Sequence, residues 1–171
     1  MTILHDTFST PVGDFSVALD DSGALLATAF GDVASLKTRL KQRHLSGDFA
    51  CSPARSEAVR QQVAEYFAGT RRHFNLRLAA KGTGFQQQVW TKLTQIPWGE
   101  TRTYAEIAVS LSRPGAARAV GRANATNPIC LIVPCHRVIG ADRALTGFAF
   151  GEPIKQRLLE HEGALAHALS R

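Results

Sequence analysis

The sequence predicts an α+β protein built in two parts, and three observations carry that prediction. Leu4 to Phe30 alternates apolar and polar residues between turn signals, the period of a small sheet. From Phe85 onward apolar residues recur at helical spacing. Between the two, Ala79-Ala80-Lys81-Gly82-Thr83-Gly84 breaks both periods and reads as a linker. The parts are therefore residues 1–78, a linker over 79–84, and 85–171.

In the first part, Phe8-Ser9-Thr10-Pro11-Val12-Gly13 ends one strand in a turn and Phe15 to Leu19 alternates as a second. Asp20-Asp21-Ser22-Gly23 is a strong turn, and Ala24 to Phe30 is a third strand. Val33–Arg43 and Ser56–Phe67 have helical spacing, with Val59, Val63 and Phe67 on one face. His5, His44, Cys51 and His73 could in principle ligate a metal, but their spacing matches no zinc signature. This part reads as structural.

In the second part, Phe85, Val89, Trp90, Leu93 and Ile96 share one helix face and should anchor a separate core. Pro97-Trp98-Gly99-Glu100 is a turn. A second helix, Thr103–Leu111, starts behind Thr101 or Thr103 as caps, and Ser112-Arg113-Pro114-Gly115 breaks it. A third helix begins at Ala116, so the pair reads as helix-turn-helix. Apart from Val120, the non-arginine residues of Ala116–Asn124 are small, which lets this helix lie close to another surface. That surface can be the protein interior or a nucleic-acid groove. Ile129–Val133 reads as a short buried strand stopped by Pro134. Arg137–Leu145, with a tip at Gly140-Ala141-Asp142-Arg143, reads as a hairpin or wing. A closing helix runs from Pro153 to His161, with Ile154, Leu158 and Leu159 inward and Gly163 as its stop.

Composition narrows the classes. Over 171 residues, 44% hydrophobic and 20% charged content fit a globular protein, and no apolar run approaches the roughly 20 residues of a membrane helix. Three cysteines without close pairing argue against a disulfide framework. The start, Met1-Thr2-Ile3-Leu4-His5-Asp6, lacks a signal-peptide layout, so a cytoplasmic location and no membrane partner are expected. The net charge is +6, and from Ile107 to Ala141 there are four arginines (Arg113, Arg118, Arg122, Arg137) and no acid. A charge run is usually a solvated face, but here it flanks the one chemically suggestive cluster and points to a polyanion such as DNA.

That cluster is Pro134-Cys135-His136-Arg137, directly behind the apolar run. A thiol beside an imidazole is a way to make a thiolate, because a nearby base or cation lowers a cysteine pKa from roughly 8.5. The adjacency alone favours the plainer reading, a buried structural cysteine beside a surface histidine.

Within Ile132-Val133-Pro134-Cys135-His136-Arg137-Val138-Ile139-Gly140, the tetrapeptide resembles the active-site motif of O6-alkylguanine-DNA alkyltransferases, the methylated-DNA–protein-cysteine methyltransferases. The likeness runs without a gap from Phe85 to Gly163, and more loosely back to fragments such as Phe8-Ser9-Thr10-Pro11-Val12-Gly13. It implies a ribonuclease-H-like α/β N-terminal domain followed by a winged-helix C-terminal domain. It also implies a direct, stoichiometric and irreversible reaction: an alkyl group, chiefly methyl, moves from O6 of guanine to Cys135. O4 of thymine stays open as a second position from which the alkyl group is taken. No cofactor and no metal are implied.

By the same resemblance His136 acts as base on the Cys135 thiol through a water, and Glu162 in Leu159-Glu160-His161-Glu162-Gly163 holds the imidazole. Asn127 braces the turn before the active site, and Tyr104 protonates the departing guanine at N3. Arg118 is the arginine finger that fills the stack when the target base is swung out, as an in-line attack on a duplex base requires. The DNA-facing set comprises Arg113, Ala116, Arg118, Ala119, Gly121 and Arg122, with Gln86 and Ala141. Binding is to duplex DNA through the minor groove, largely independent of sequence. Backbone groups near Cys135 and Val138 would receive the guanine amino group, with Pro134, Phe148, Ala149 and Phe150 completing the pocket. Phe148 stands where the family commonly has Tyr. Phe150 stands where many members have Gly, a ring that would tilt preference towards methyl. Arg122 occupies a position that is often small. A monomer in solution is expected, with cooperative loading on DNA left open. Two other classes compete: a winged-helix module that binds DNA without chemistry, and a thiol hydrolase, against which no Gly-rich oxyanion loop flanks the thiol.

Overall fold

The computed structural model describes residues 1–145 and 147–164; residues 165–171, which the sequence reading placed in the second part, lie outside them. The chain forms two compact units. One is Met1–Lys81 together with Pro128–Cys130, the other Gly82–Asn127 with the chain from Leu131 onward.

The first unit is a four-stranded sheet covered by helices. Strands β1 (Thr2–Thr10), β2 (Gly13–Leu19) and β3 (Leu25–Phe30) form an antiparallel meander. Their turns follow from chemistry. Gly13 takes φ +106 in the first. In the second, Oδ1 of Asp20 accepts from the Ser22 and Ala24 amides at 2.9 and 3.0 Å. Helix α1 (Val33–Gln42) begins where Asp32 Oδ1 accepts from Ser35 N at 3.0 Å, and buries Leu36 and Leu40. A fourth strand, β4 (Asp48–Cys51), was not legible as one; it pairs parallel with β1 and gives the order β3-β2-β1-β4. Helix α2 (Glu57–Phe67) buries Val59, Val63 and Tyr66. It is tied to β1 through the buried Asp6, which accepts from Ser56 Oγ at 2.7 Å and Arg60 at 3.2 Å.

The linker begins later than the sequence suggests. Leu25 N donates to Arg77 O and Ala79 N to Leu25 O at 2.9 and 2.7 Å, so Leu78 makes an isolated parallel bridge to the start of β3 and Ala79 is still held by the first unit.

The second unit is mainly helical. Helix α3 (Gly84–Thr94) starts at a capping box, with Thr83 and Gln86 satisfying each other's backbone amides. Helix α4 (Tyr104–Ser110) is capped by Thr103, whose hydroxyl accepts from Glu106 N at 3.1 Å. Helix α5 (Ala117–Ala125) follows the break at Pro114-Gly115 and buries Val120, Ala123 and Asn124. Trp90 Nε1 donates to Ala123 O at 2.8 Å and joins α3 to α5. Helix α6 (Glu152–His161) begins after Gly151, at φ +95, with a proline in its first turn.

Two expectations are corrected. Ile129–Val133 is fully buried as read, yet it is a turn rather than a strand, with Leu131 at φ +75. Its first two residues belong with the first unit and the rest with the second, and Asn127 takes the Val133 carbonyl that a ladder would have used. The wing is also different. The short strand β6 (Val138–Ile139) pairs parallel with β5 (Arg102–Thr103), and 140–145 form a turn with no returning strand among the described residues. Ring closure at that turn comes from Arg143 N to Gly140 O at 2.8 Å and Gly140 N to Ala144 O at 3.1 Å.

Candidate active site

Cys135 opens a 3-10 turn, Cys135–Arg137, immediately after Pro134 and is 2% exposed. Its amide donates to Val133 O at 2.8 Å, and Arg137 N donates to Pro134 O at 3.0 Å. Side chains hold the rest of the backbone. Asn127 Nδ2 donates to Val133 O at 3.0 Å, Asn124 Nδ2 to Cys135 O at 3.3 Å, and Lys155 Nζ to Val138 O at 2.5 Å. A thiol on so constrained a backbone has little freedom to leave its position.

Behind it lies a buried ionic group. His136 Nε2 is 2.7 Å from Glu162 Oε2, with both side chains at 0% exposure. Arg137 brackets the same carboxylate, Nε to Oε1 at 2.8 Å and Nη2 to Oε2 at 3.1 Å, and its Nη1 donates to Ile96 O at 2.6 Å. Burial pushes the Glu162 carboxyl up, but His136 and Arg137 together outweigh it and hold the group well below the usual carboxylate range. An ionised carboxylate only accepts, so Nε2 of His136 carries the hydrogen and Nδ1 keeps its lone pair. That Nδ1 is buried and has no hydrogen-bond partner among the described residues. Burial lowers the His136 pKa, Glu162 opposes the shift, and Arg137 and Lys155 reinforce it. The resting ring is therefore neutral at pH 7, able to take a proton on Nδ1. Glu162 sits at the C-cap of α6, where an anion is disfavoured by the helix dipole, and the Arg137 guanidinium together with the Nε2–H of His136 compensates.

Tyr104 opens α4 half-buried. Its pKa is raised by burial and then by the charge on Cys135, so the phenol stays protonated and can donate. A Cβ on Gly147, which has φ +81, would collide with the Tyr104 hydroxyl, and one on Gly121 of α5 would touch its ring at 3.9 Å. The tyrosine is thus seated between α5 and the loop before α6. On that loop Phe148 is buried at 8% exposure and meets Phe150 edge to face, centroids 5.9 Å apart; Ala149 is exposed between them. Pro134 and Val138 are buried.

The expected DNA-facing residues divide. Arg118 and Arg122 are exposed on α5, above half-buried Ala116, Ala119 and Gly121, and Ala141 is exposed on its turn. Arg113 is exposed too, with its guanidinium 5.5 Å from the Phe85 ring centre. Gln86 is otherwise engaged: Oε1 accepts from Thr83 N at 2.9 Å and Nε2 donates to Thr126 Oγ1 at 3.2 Å. Its side chain caps a helix, which the Thr-x-x-Gln spacing at Thr83 could have revealed.

Sequence reasoning also left three members of the site without a role there. Arg137 lay in plain view inside Pro-Cys-His-Arg. Lys155 stands three and four residues before Leu158 and Leu159, a lysine on an apolar face, and is 0% exposed. Burial lowers its pKa to about 8. Asn124, one residue after the buried Ala123, is 1% exposed. Among the described residues no group of three or more His, Cys, Asp or Glu could hold a metal ion, and no helix is long and apolar enough to cross a membrane.

Fold and site together define a small mixed α/β protein in which a buried cysteine is followed directly by a histidine paired with a buried carboxylate. The family profile described as "6-O-methylguanine DNA methyltransferase, DNA binding domain" matches residues 84–164. A methylated-DNA–protein-cysteine methyltransferase of Methanosarcina barkeri is 42% identical over 158 residues, 92% of this chain and 96% of the relative. One from Mycobacterium bovis is 43% identical over 169 residues, 97% and 96% of the two chains. A crystal structure of Mycobacterium tuberculosis OGT in complex with DNA superposes with TM-score 0.81 at 38% identity, covering 98% of this chain and 99% of that one. The chain belongs to the methylated-DNA–protein-cysteine methyltransferase family.

Proposed function

We propose that the protein repairs DNA by moving an alkyl group, chiefly methyl, from O6 of guanine to the sulfur of Cys135. The observation that carries this is the buried Cys135 followed by a neutral His136 whose Nε2–H is committed to an ionised Glu162. His136 Nδ1 takes the thiol proton through one water, and Glu162 balances the imidazolium that results. The thiolate attacks the alkyl carbon, the S–C bond forms as the C–O6 bond breaks, and Tyr104 gives the departing guanine a proton at N3. The product thioether has no route back, so each chain acts once and needs no cofactor.

Duplex DNA with alkylated bases is the partner. The small residues of α5 let it approach the minor groove, and Arg118 fills the stack while the lesion is everted, with Arg113, Arg122 and Ala141 at the backbone. Phe148, Ala149, Phe150, Pro134 and Val138 form the pocket, and Phe150 favours methyl over larger groups. The β3-β2-β1-β4 order, with β4 parallel to β1, supports reading the first unit as ribonuclease-H-like; α4, its Pro-Gly turn and α5 support a winged-helix relative in the second. A monomer working in a reducing, cytoplasmic compartment suits a thiol of this kind.

Counting methyl groups taken from labelled O6-methylguanine DNA tests the reading. Uptake should stop at one per chain; continued turnover would identify a hydrolase.

A further inference from the structure

Three carbonyls of the thiol-bearing stretch, those of Val133, Cys135 and Val138, are each gripped by a side-chain donor. The carbonyl of the nucleophile itself accepts from the Val138 amide within its own turn and, from α5, from Asn124 Nδ2 at 3.3 Å. Asn124 lies in the last turn of α5, is 1% exposed, and its Oδ1 is buried without a hydrogen-bond partner among the described residues. An orphaned buried amide oxygen lowers stability, and a leucine of similar volume would remove the defect. A residue kept at such a cost calls for a reason other than folding. The helix supplies one. It carries Arg118 and Arg122 outward, while Asn124 on its inner side holds the carbonyl of Cys135.

We propose that Asn124 is a positioning residue: it fastens the Cys135 backbone to α5, so that seating this helix on DNA also sets where the thiol stands. The proposal rests on the alkyl-transfer reading above and adds a residue to it. In-line displacement is sensitive to the placement of the attacking atom, and a shift on the order of 1 Å can cost roughly a hundredfold in rate. Loosening the carbonyl should therefore slow the chemical step while leaving the outer face of α5 untouched.

The test compares the full-length parent with Asn124→Leu and Asn124→Met. Single-turnover methyl transfer is followed at limiting and saturating O6-methylguanine duplex, together with affinity for unmodified duplex and thermal unfolding. The rate constant at saturation should fall roughly tenfold or more, affinity should stay within about twofold, and Tm should equal or exceed the parent's. A parental rate at saturation overturns the proposal. So does a rate loss accompanied by a matching fall in Tm, or failure of both variants to fold, since either marks Asn124 as structural. The second variant covers a branched side chain that does not pack. A parent that takes up no methyl overturns the alkyl-transfer reading itself, and the positioning role with it.

Discussion

Oε2 of Glu162 lies 2.7 Å from Nε2 of His136, and neither side chain has any solvent exposure. This contact fixes the tautomer of the ring and hence which nitrogen can act as base. With Glu162 ionised, the only basic position left is Nδ1. In the proposed reaction the carboxylate would do for a thiol what the acid of a serine triad does for a hydroxyl.

Glu162→Gln should test that relationship directly. A glutamine can donate to Nε2 and leave the proton on Nδ1, the wrong tautomer for a base. Single-turnover transfer should slow roughly a hundredfold or more, with duplex affinity within about twofold. Equal rates for variant and parent would remove Glu162 from the mechanism. The pH response has a defined sign. The Glu162 pKa is depressed in the fold, so its stabilisation is present above the ordinary carboxylate pKa and lost as pH falls through its lower folded value. Acid unfolding monitored by circular dichroism should begin at higher pH in the variant.

Lys155 shows the opposite edge of the pH range. Its pKa falls from 10.5 to about 8 in the fold, so the unfolded chain binds its proton more tightly. Stability from this group therefore rises as pH increases from about 8 to 10.5, by at most about 3 kcal/mol. Urea unfolding at about pH 7 and about pH 10 should show the parent gaining relative to Lys155→Met. A constant difference between the two proteins would contradict the shift.

Arg118→Ala should impair eversion of the base rather than chemistry. Transfer from a duplex should slow by roughly tenfold more than transfer from a single strand, where no stack has to be refilled. Loss of the same factor on both substrates would assign Arg118 to general phosphate attraction.

Gly147→Ala should displace Tyr104, because the added methyl would meet its hydroxyl. The alanine is also strained at φ +81, by roughly 1–2 kcal/mol. The two effects separate in a Tyr104→Phe background, where the clash with the hydroxyl is gone but the strain stays. Transfer by the double variant should match Tyr104→Phe alone; a further loss in that background would mean that backbone strain dominates.

Legibility in the sequence tracked how local each feature's cause is. The meander was readable because Asp20-Asp21-Ser22-Gly23 and the Phe15–Leu19 alternation act within a few residues. Strand β4 was not, since Asp48-Phe49-Ala50-Cys51 is short and its pairing with β1 is made across more than forty residues. Five apolar residues from Ile129 to Val133 announce burial but not conformation, and Leu131 at φ +75 had no glycine to flag it. Of the candidate site, the Cys135–His136 pair and its family motif stood in the sequence, and Glu162 was reachable as an anion at a helix end. The grips of Asn124 and Lys155 on the turn needed coordinates, because an inward polar side chain on a helix does not name its partner. The lack of a return strand after Val138 among the described residues is of the same kind: a Gly-Ala-Asp-Arg tip predicts a turn and leaves the path of the chain beyond it open.

The most direct measurement is the mass of the intact chain, and of the peptide containing Cys135, after incubation with an oligonucleotide duplex bearing O6-methylguanine. Transfer to Cys135 predicts one added methyl on that peptide and none in Cys135→Ser. An unchanged mass despite tight binding of the lesion, or a methyl on any other residue, would contradict it.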